Sequence, residues 1–203
     1  MARAIDVFSE WAKEGKSEKM AEGHALAVDN MLSYALGSSD GPLSFIDAGC
    51  GNGWVVRKML SHSRCHSAVG VDASTGMIDR AKQIDSSGIY LNQDLLLWSP
   101  EEPVNLVHSM EVFYYFLDPQ EVINHITQKW LASEGRLIIG IDHYSENKAS
   151  LDWAKKYNID FMTTLCIEEW CSAFENAGLK SVSHWLFSPS PQWSGTLIIT
   201  GKK

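Results

Sequence analysis

The sequence predicts an α/β fold, a mostly parallel sheet with helices on both faces, and three observations predict it. Short apolar runs of strand length alternate with longer segments whose apolar residues recur at three- and four-residue spacing. The first run, Ser44–Ala48, breaks into Gly49-Cys50-Gly51-Asn52-Gly53, and a helix is expected from Trp54 to Ser61. The second, Ser67–Asp72, ends on an acid. A strand that gives way to glycines and then a helix lets backbone approach a ligand closely. It also offers unpaired N–H groups to an anionic group.

The 203 residues suit a single domain, 1–203, which can bury about 70% of its unfolded surface. With 45% hydrophobic and 10% aromatic residues the chain has the material for a core. A net charge of −8, from 17 basic and 25 acidic residues without a dense Lys/Arg cluster, argues against nucleic acid as a partner. No apolar run approaches the ~18 residues of a membrane span. The charged N-terminus does not read as a secretory signal, so neither a membrane nor export is expected. The four cysteines (Cys50, Cys65, Cys166 and Cys171) follow no metal spacing and no disulfide framework, so no metal is expected and the compartment is the cytoplasm.

In order, Ala2–Lys13 reads as a helix with Ile5, Val7, Phe8 and Trp11 on its apolar side, interrupted at Gly15. Ser17 is placed as the N-cap of a second helix that stops at Gly37. Its apolar stripe includes His24, as a hydrogen-bonded core ring or as a pocket residue. Ser38–Pro42 is a loop, so residues 1–42 form a helical cap ahead of a core over 43–203. Ser74 caps the helix after the second strand, Gly88–Leu91 is the third strand, and the fourth begins at Val104. Pro119–Leu131 is a helix and Gly135–Asp142 the fifth strand. Within Ser145–Leu165 a helical piece is expected at Ala149–Tyr157. Cys166–Ala177 is a helix closed by Gly178, and Leu179–Phe187 and Gly195–Thr200 are the last two strands.

The glycine turn decides the ligand class. The third glycine of a G-x-G-x-x-G fingerprint would fall on Trp54, and no Gly-Lys-Ser/Thr follows. Asp47, just before the turn, would repel a pyrophosphate and favour a cation. S-adenosylmethionine has that polarity, with an ammonium for the acid and a carboxylate for the helix N-terminus. With Asp47, Gly49, Gly51 and Gly53 in the pattern acid-x-G-x-G-x-G, the chain resembles the class I S-adenosylmethionine-dependent methyltransferases. Val104–Pro119 aligns without a gap to the fourth strand and loop of the ubiquinone/menaquinone-type small-molecule enzymes. Asn105 there replaces an acid, and Tyr114-Tyr115 replaces Glu-His.

The resemblance covers about residues 43–203. It implies a Rossmann-like seven-stranded sheet in the order 3-2-1-4-5-7-6 with the last strand antiparallel, and S-adenosyl-L-homocysteine as product. It implies cofactor contacts from Asp47, Gly49, Cys50, Gly51, Asn52, Gly53, Asp72, Ala73, Met77, Asp94, Leu95, Ser109 and Met110. Asp72 would accept from the ribose hydroxyls and Asp94 from the adenine amine, and Met77 would lie on the adenine or simply pack its helix. Acceptor contacts are expected from the N-terminal helices and the 145–165 insertion, with Trp11, His24, Tyr114 and Tyr144 as pocket residues. His143, Glu111 and Tyr115 are the candidate catalytic groups, should the acceptor need a base. The expected reaction is in-line methyl transfer to a small-molecule acceptor, by a monomer or a homodimer. Two other readings fit the motif: a catalytically silent S-adenosylmethionine binder that serves a partner protein, and an aminopropyl transferase.

Overall fold

The computed structural model describes residues 1–37 and 41–203; positions 38–40, part of the expected Ser38–Pro42 loop, lie outside the described residues. Two helices come first, α1 (Ala4–Lys13) and α2 (Lys16–Gly37). Ser17 lies inside α2 rather than capping it, with its hydroxyl donating to Glu18 at 2.9 Å. Then follow β1 (Leu43–Ala48), α3 (Trp54–Leu60), β2 (Cys65–Asp72), α4 (Thr75–Ile84), β3 (Ile89–Asn92) and β4 (Val104–Met110). After β4 come α5 (Pro119–His125), β5 (Leu131–Ile141), α6 (Trp153–Lys156), α7 (Ile167–Asn176), β6 (Lys180–Phe187) and β7 (Thr196–Lys202).

The strands form one sheet in the order β3-β2-β1-β4-β5-β7-β6. The pairs within β1–β5 are parallel, and β7 runs antiparallel to both β5 and β6. Alternation along the strands feeds two cores. On β5, Leu137 and Ile139 face a layer with Trp130, Trp170 and Phe174, while Ile138 faces one with Val28, Met31, Met59 and Ile78. Each such side chain, fully buried, stabilises the fold by roughly 1.5–3 kcal/mol.

Local chemistry sets the helix ends. The Ser74 hydroxyl accepts from the Met77 N–H at 3.3 Å, and the Asp118 carboxylate accepts from the Gln120 N–H at 2.9 Å ahead of Pro119. Three expected boundaries differ by more than two residues. The helix expected over Pro119–Leu131 widens into a π turn at Ile126–Trp130, which ends with Trp130 buried and donating to the Trp98 carbonyl at 3.0 Å. β5 starts at Leu131 instead of Gly135, through an irregularity where Gly135 has no room for a Cβ. The piece expected at Ala149–Tyr157 is two, a 3-10 turn at Lys148–Ser150 and α6.

The N-terminal helices are tied down at several points. A Cβ at Gly76 would lie 2.8 Å from the Ser9 carbonyl, so α1 rests directly on the start of α4. Glu18 pairs with Arg80 at 2.6 Å. The Ala2 backbone bonds to Asn158 and Asp160, joining the extreme N-terminus to the 145–165 segment. No described helix is long and apolar enough to cross a membrane.

Candidate active site

A cavity of about 370 Å³ opens at the carboxyl ends of β1, β2 and β4, where ligand crevices of open α/β sheets lie. One wall is the glycine turn. Gly49, Gly51 and Gly53 have φ of 80°, 52° and 75°, a region side chains disfavour. A Cβ on Gly49 would fall 2.2 Å from Val112, and one on Gly53 would fall 2.3 Å from Tyr90. The turn is held by the Gly49 and Cys50 N–H groups donating to the Val71 carbonyl at 2.7 and 3.1 Å.

Asp72 closes this wall from β2. Its carboxylate accepts from the Gly51 N–H at 2.9 Å and the Ser74 N–H at 2.8 Å. Burial raises its pKa to about 6; those two hydrogen bonds oppose the rise and Asp47 adds to it. Ala73, Met77, Asp94 and Leu95 complete the wall, and Asp94 accepts from the Leu96 N–H at 2.8 Å. Asn52 and Cys50 line it as well, and burial pushes the Cys50 thiol well up, so it stays neutral.

The opposite wall consists of side chains from distant parts of the chain. Phe8 of α1 meets Tyr115 edge-on at 5.2 Å, and Met20, His24, Phe116 and Phe161 stand beside them. Glu111, at a φ of 62° directly after β4, accepts from the Tyr114 hydroxyl at 2.6 Å and from the Asp142 N–H. Burial, with Asp142 nearby, raises Glu111 to about 8. His24 is also raised: burial opposes its charge, but Asp142 and Glu111 outweigh it together. Burial pushes the Tyr115 phenol up, so it is a neutral donor.

Several expected site residues lie elsewhere. His143 is buried outside the cavity, one ring nitrogen 3.0 Å from the Ser150 carbonyl and the other 2.7 Å from the Thr164 hydroxyl. Burial lowers its pKa, so it is a neutral structural ring without a free nitrogen, which corrects its expected part as a base. Tyr144 is buried, donates to the Gly195 carbonyl at 2.9 Å and is pushed up by burial to about 12. Tyr114 stands behind Glu111 and does not face the cavity. Ser109 donates to the Ala48 carbonyl at 2.7 Å, stitching β4 to β1, and Gly53 lies against the Tyr90 ring outside the cavity lining. Trp11 faces a separate shallow groove with Lys16, Lys19 and Tyr157.

Sequence reasoning missed His108. It sits on β4 opposite Asp47 in the sheet register, fully buried and 2.7 Å from the Asp47 carboxylate, and both line the cavity. A histidine inside an apolar strand, registered with the motif acid on the neighbouring strand, was the available signal.

The chain matches a methyltransferase-domain family over residues 2–184. Trans-aconitate 2-methyltransferase of Klebsiella pneumoniae is 24% identical over 107 residues, 52% of this chain. The match thus spans only 42% of that enzyme's length. Among solved structures, the methyltransferase in complex with the Haloferax volcanii Trm112 methyltransferase activator has a TM-score of 0.79 at 24% identity, covering 96% of each chain. A Thermotoga maritima protein described as a possible histamine N-methyltransferase has a TM-score of 0.71 at 18% identity over 98% of each. The N-methyltransferase NodS of Bradyrhizobium japonicum, solved with S-adenosyl-L-homocysteine, has a TM-score of 0.64 at 19% identity, covering 86% of this chain and 84% of its own. These likenesses establish the fold, and the family match spans most of the sequence. By strand order, glycine turn and family match together, the chain belongs to the class I S-adenosylmethionine-dependent methyltransferases.

Proposed function

We propose that the protein transfers the methyl group of S-adenosylmethionine in line to a small-molecule acceptor held under the N-terminal helices. The observation that carries this is a single cavity with two unlike walls, glycine backbone and acids on one side, aromatic and apolar side chains on the other. On the first wall the glycine turn leaves room for the amino-acid end of the cofactor, and Asp47 takes its ammonium. Asp72 takes the ribose hydroxyls, Met77 and Leu95 hold the adenine ring, and Asp94 takes its amine. On the second wall Glu111 and Tyr115 face the acceptor.

The sulfonium leaves as a neutral thioether, so alignment does most of the work; well-oriented reactants reach effective molarities of ~10⁵–10⁸ M. Among the described residues Arg3 is the one Lys or Arg lining the cavity, and its guanidinium is taken by Asp6 at 2.9 and 3.0 Å, which favours an acceptor without a carboxylate. One domain and a cytoplasmic site of action complete the reading, and the four free cysteines fit a reduced compartment.

Titration calorimetry with S-adenosylmethionine and with NAD⁺ tests it. Micromolar binding of the first and none of the second is expected, followed by S-adenosyl-L-homocysteine release in an acceptor screen. Absence of S-adenosylmethionine binding would overturn it. A second reading, turnover only with a protein partner, is favoured by the open sheet edge at β3. Ile84, Ile89 and Leu97 are 41%, 52% and 85% exposed at or near that edge, where another chain could add a strand. Binding without turnover by the isolated chain would favour it.

A further inference from the structure

We infer that His24, Glu111 and Asp142 form a site for one divalent first-row transition-metal ion in the acceptor wall. The three come from α2, from the turn after β4 and from the end of β5. One donor atom from each lies within 4.8 Å of the other two. His24 Nε2 stands 3.6 Å from Asp142 Oδ2, a gap too wide for a good hydrogen bond. The Asp47–His108 pair of the same cavity closes to 2.7 Å, so contact of this kind is available to the fold when nothing belongs between the groups. Donors bound to one ion at about 2.0–2.2 Å stand roughly 3–4 Å apart.

A separate observation points to a ligand. Asp142 is only 6% exposed, and its Oδ1 is buried without a hydrogen-bond partner among the described residues. A buried carboxylate oxygen left bare is costly and calls for a cation. Glu111 is also braced from behind, as metal ligands are. The Tyr114 hydroxyl and the Asp142 N–H fix its carboxylate.

One imidazole and two carboxylates suit Mn²⁺, Fe²⁺, Co²⁺ or Zn²⁺. His24 and Glu111 line the cavity, so such an ion would keep open positions towards the acceptor. Its use there rests on the proposed methyl transfer: an acceptor hydroxyl on the ion would lose its proton to solvent, and the oxygen would take the methyl group as the sulfonium becomes a thioether. Occupancy of the site does not rest on that reading. Such a site cannot be read from the chain's order of residues, because positions 24, 111 and 142 share no spacing pattern.

The test uses the full chain, stripped with EDTA and titrated with Mn²⁺ by electron paramagnetic resonance and with Co²⁺ by visible absorbance. One ion per chain is expected. His24→Ala and Asp142→Asn should bind it at least about tenfold more weakly, and Tyr114→Phe several-fold more weakly through the loosened Glu111. Circular dichroism confirms that the variants are folded. A chain that takes up no Mn²⁺, Co²⁺ or Zn²⁺ at millimolar concentration would overturn the site, as would wild-type affinity in folded His24→Ala. S-adenosylmethionine titration of the same samples separates the two readings, since loss of cofactor binding with metal uptake intact would sink the proposed function alone.

Discussion

The two walls of the cavity are made of different material. The cofactor wall is largely backbone: a turn with three glycines at positive φ, pinned to Val71 and backed by Asp72. The acceptor wall is side chains borrowed from α1, α2, the turn after β4 and Asp160–Phe161. Backbone that must pass where a Cβ would clash can use only glycine. Side chains that converge from distant segments obey no such local constraint. One wall is therefore set by a few unforgiving positions and the other by many adjustable ones, and substitutions should divide along that line.

The largest effect is expected at Gly49. Alanine there must adopt a φ of 80° and push its Cβ into Val112, which the structure places 2.2 Å away. Left-handed backbone and overlap cost about 1–3 kcal/mol each. Gly49→Ala should weaken S-adenosylmethionine binding by about 100-fold or more in calorimetry. Binding within threefold of wild type would break the claim that this wall is rigid.

His143 is the next test, because sequence and structure give it opposite parts. A base facing the acceptor would, on removal, lower turnover and leave stability alone. The buried ring instead satisfies the Ser150 carbonyl and the Thr164 hydroxyl. His143→Ala should destabilise the fold by about 1–3 kcal/mol in urea unfolding and leave cofactor affinity and turnover per folded molecule unchanged. Lost turnover at full stability would restore the base.

The same contrast explains what was legible. Gly49, Gly51, Gly53 and Asp72 could be read because geometry restricts those places to one or two residue types. The sheet order followed from the resemblance those residues carry. Phe8 looked like any member of an apolar stripe and His24 could be a core ring or a pocket residue; their convergence with Phe161 depends on how α1 docks on Gly76 and how Ala2 pairs beside Ile159. His143 misled because the end of a parallel strand is only sometimes open: here the 145–165 segment folds back and encloses it.

A smaller effect is expected from pH at Asp72. Its pKa of about 6 lies above the ordinary carboxylate value of 3.8, with Asp47 the facing acid. The folded, empty protein thus binds more protons here than the unfolded chain between these values, so Asp72 contributes less to stability as pH rises through that window. Cofactor binding runs the other way, since ribose hydroxyls donate to the carboxylate and not to the acid. Affinity should fall roughly tenfold from pH 7 to pH 5, with a slope that approaches about tenfold per pH unit well below about 6. Asp72→Asn should remove this slope; a slope that survives would move the titration to another group.

The smallest effect sharpens the comparison from the acceptor side. Phe8 packs edge-on against Tyr115 at 5.2 Å and against Trp11 at 5.4 Å, so it carries α1 onto the cavity. It is half-buried, and its neighbours Met20 and Phe161 can shift into part of the space it leaves. Its loss should therefore cost about 1 kcal/mol, the middle of the range for aromatic contacts. Once an acceptor is known, Phe8→Ala should raise its KM about fivefold and leave S-adenosylmethionine affinity within twofold. A parallel loss of cofactor affinity would mean that the two walls are not energetically separate, and that α1 closes over both ligands as one unit.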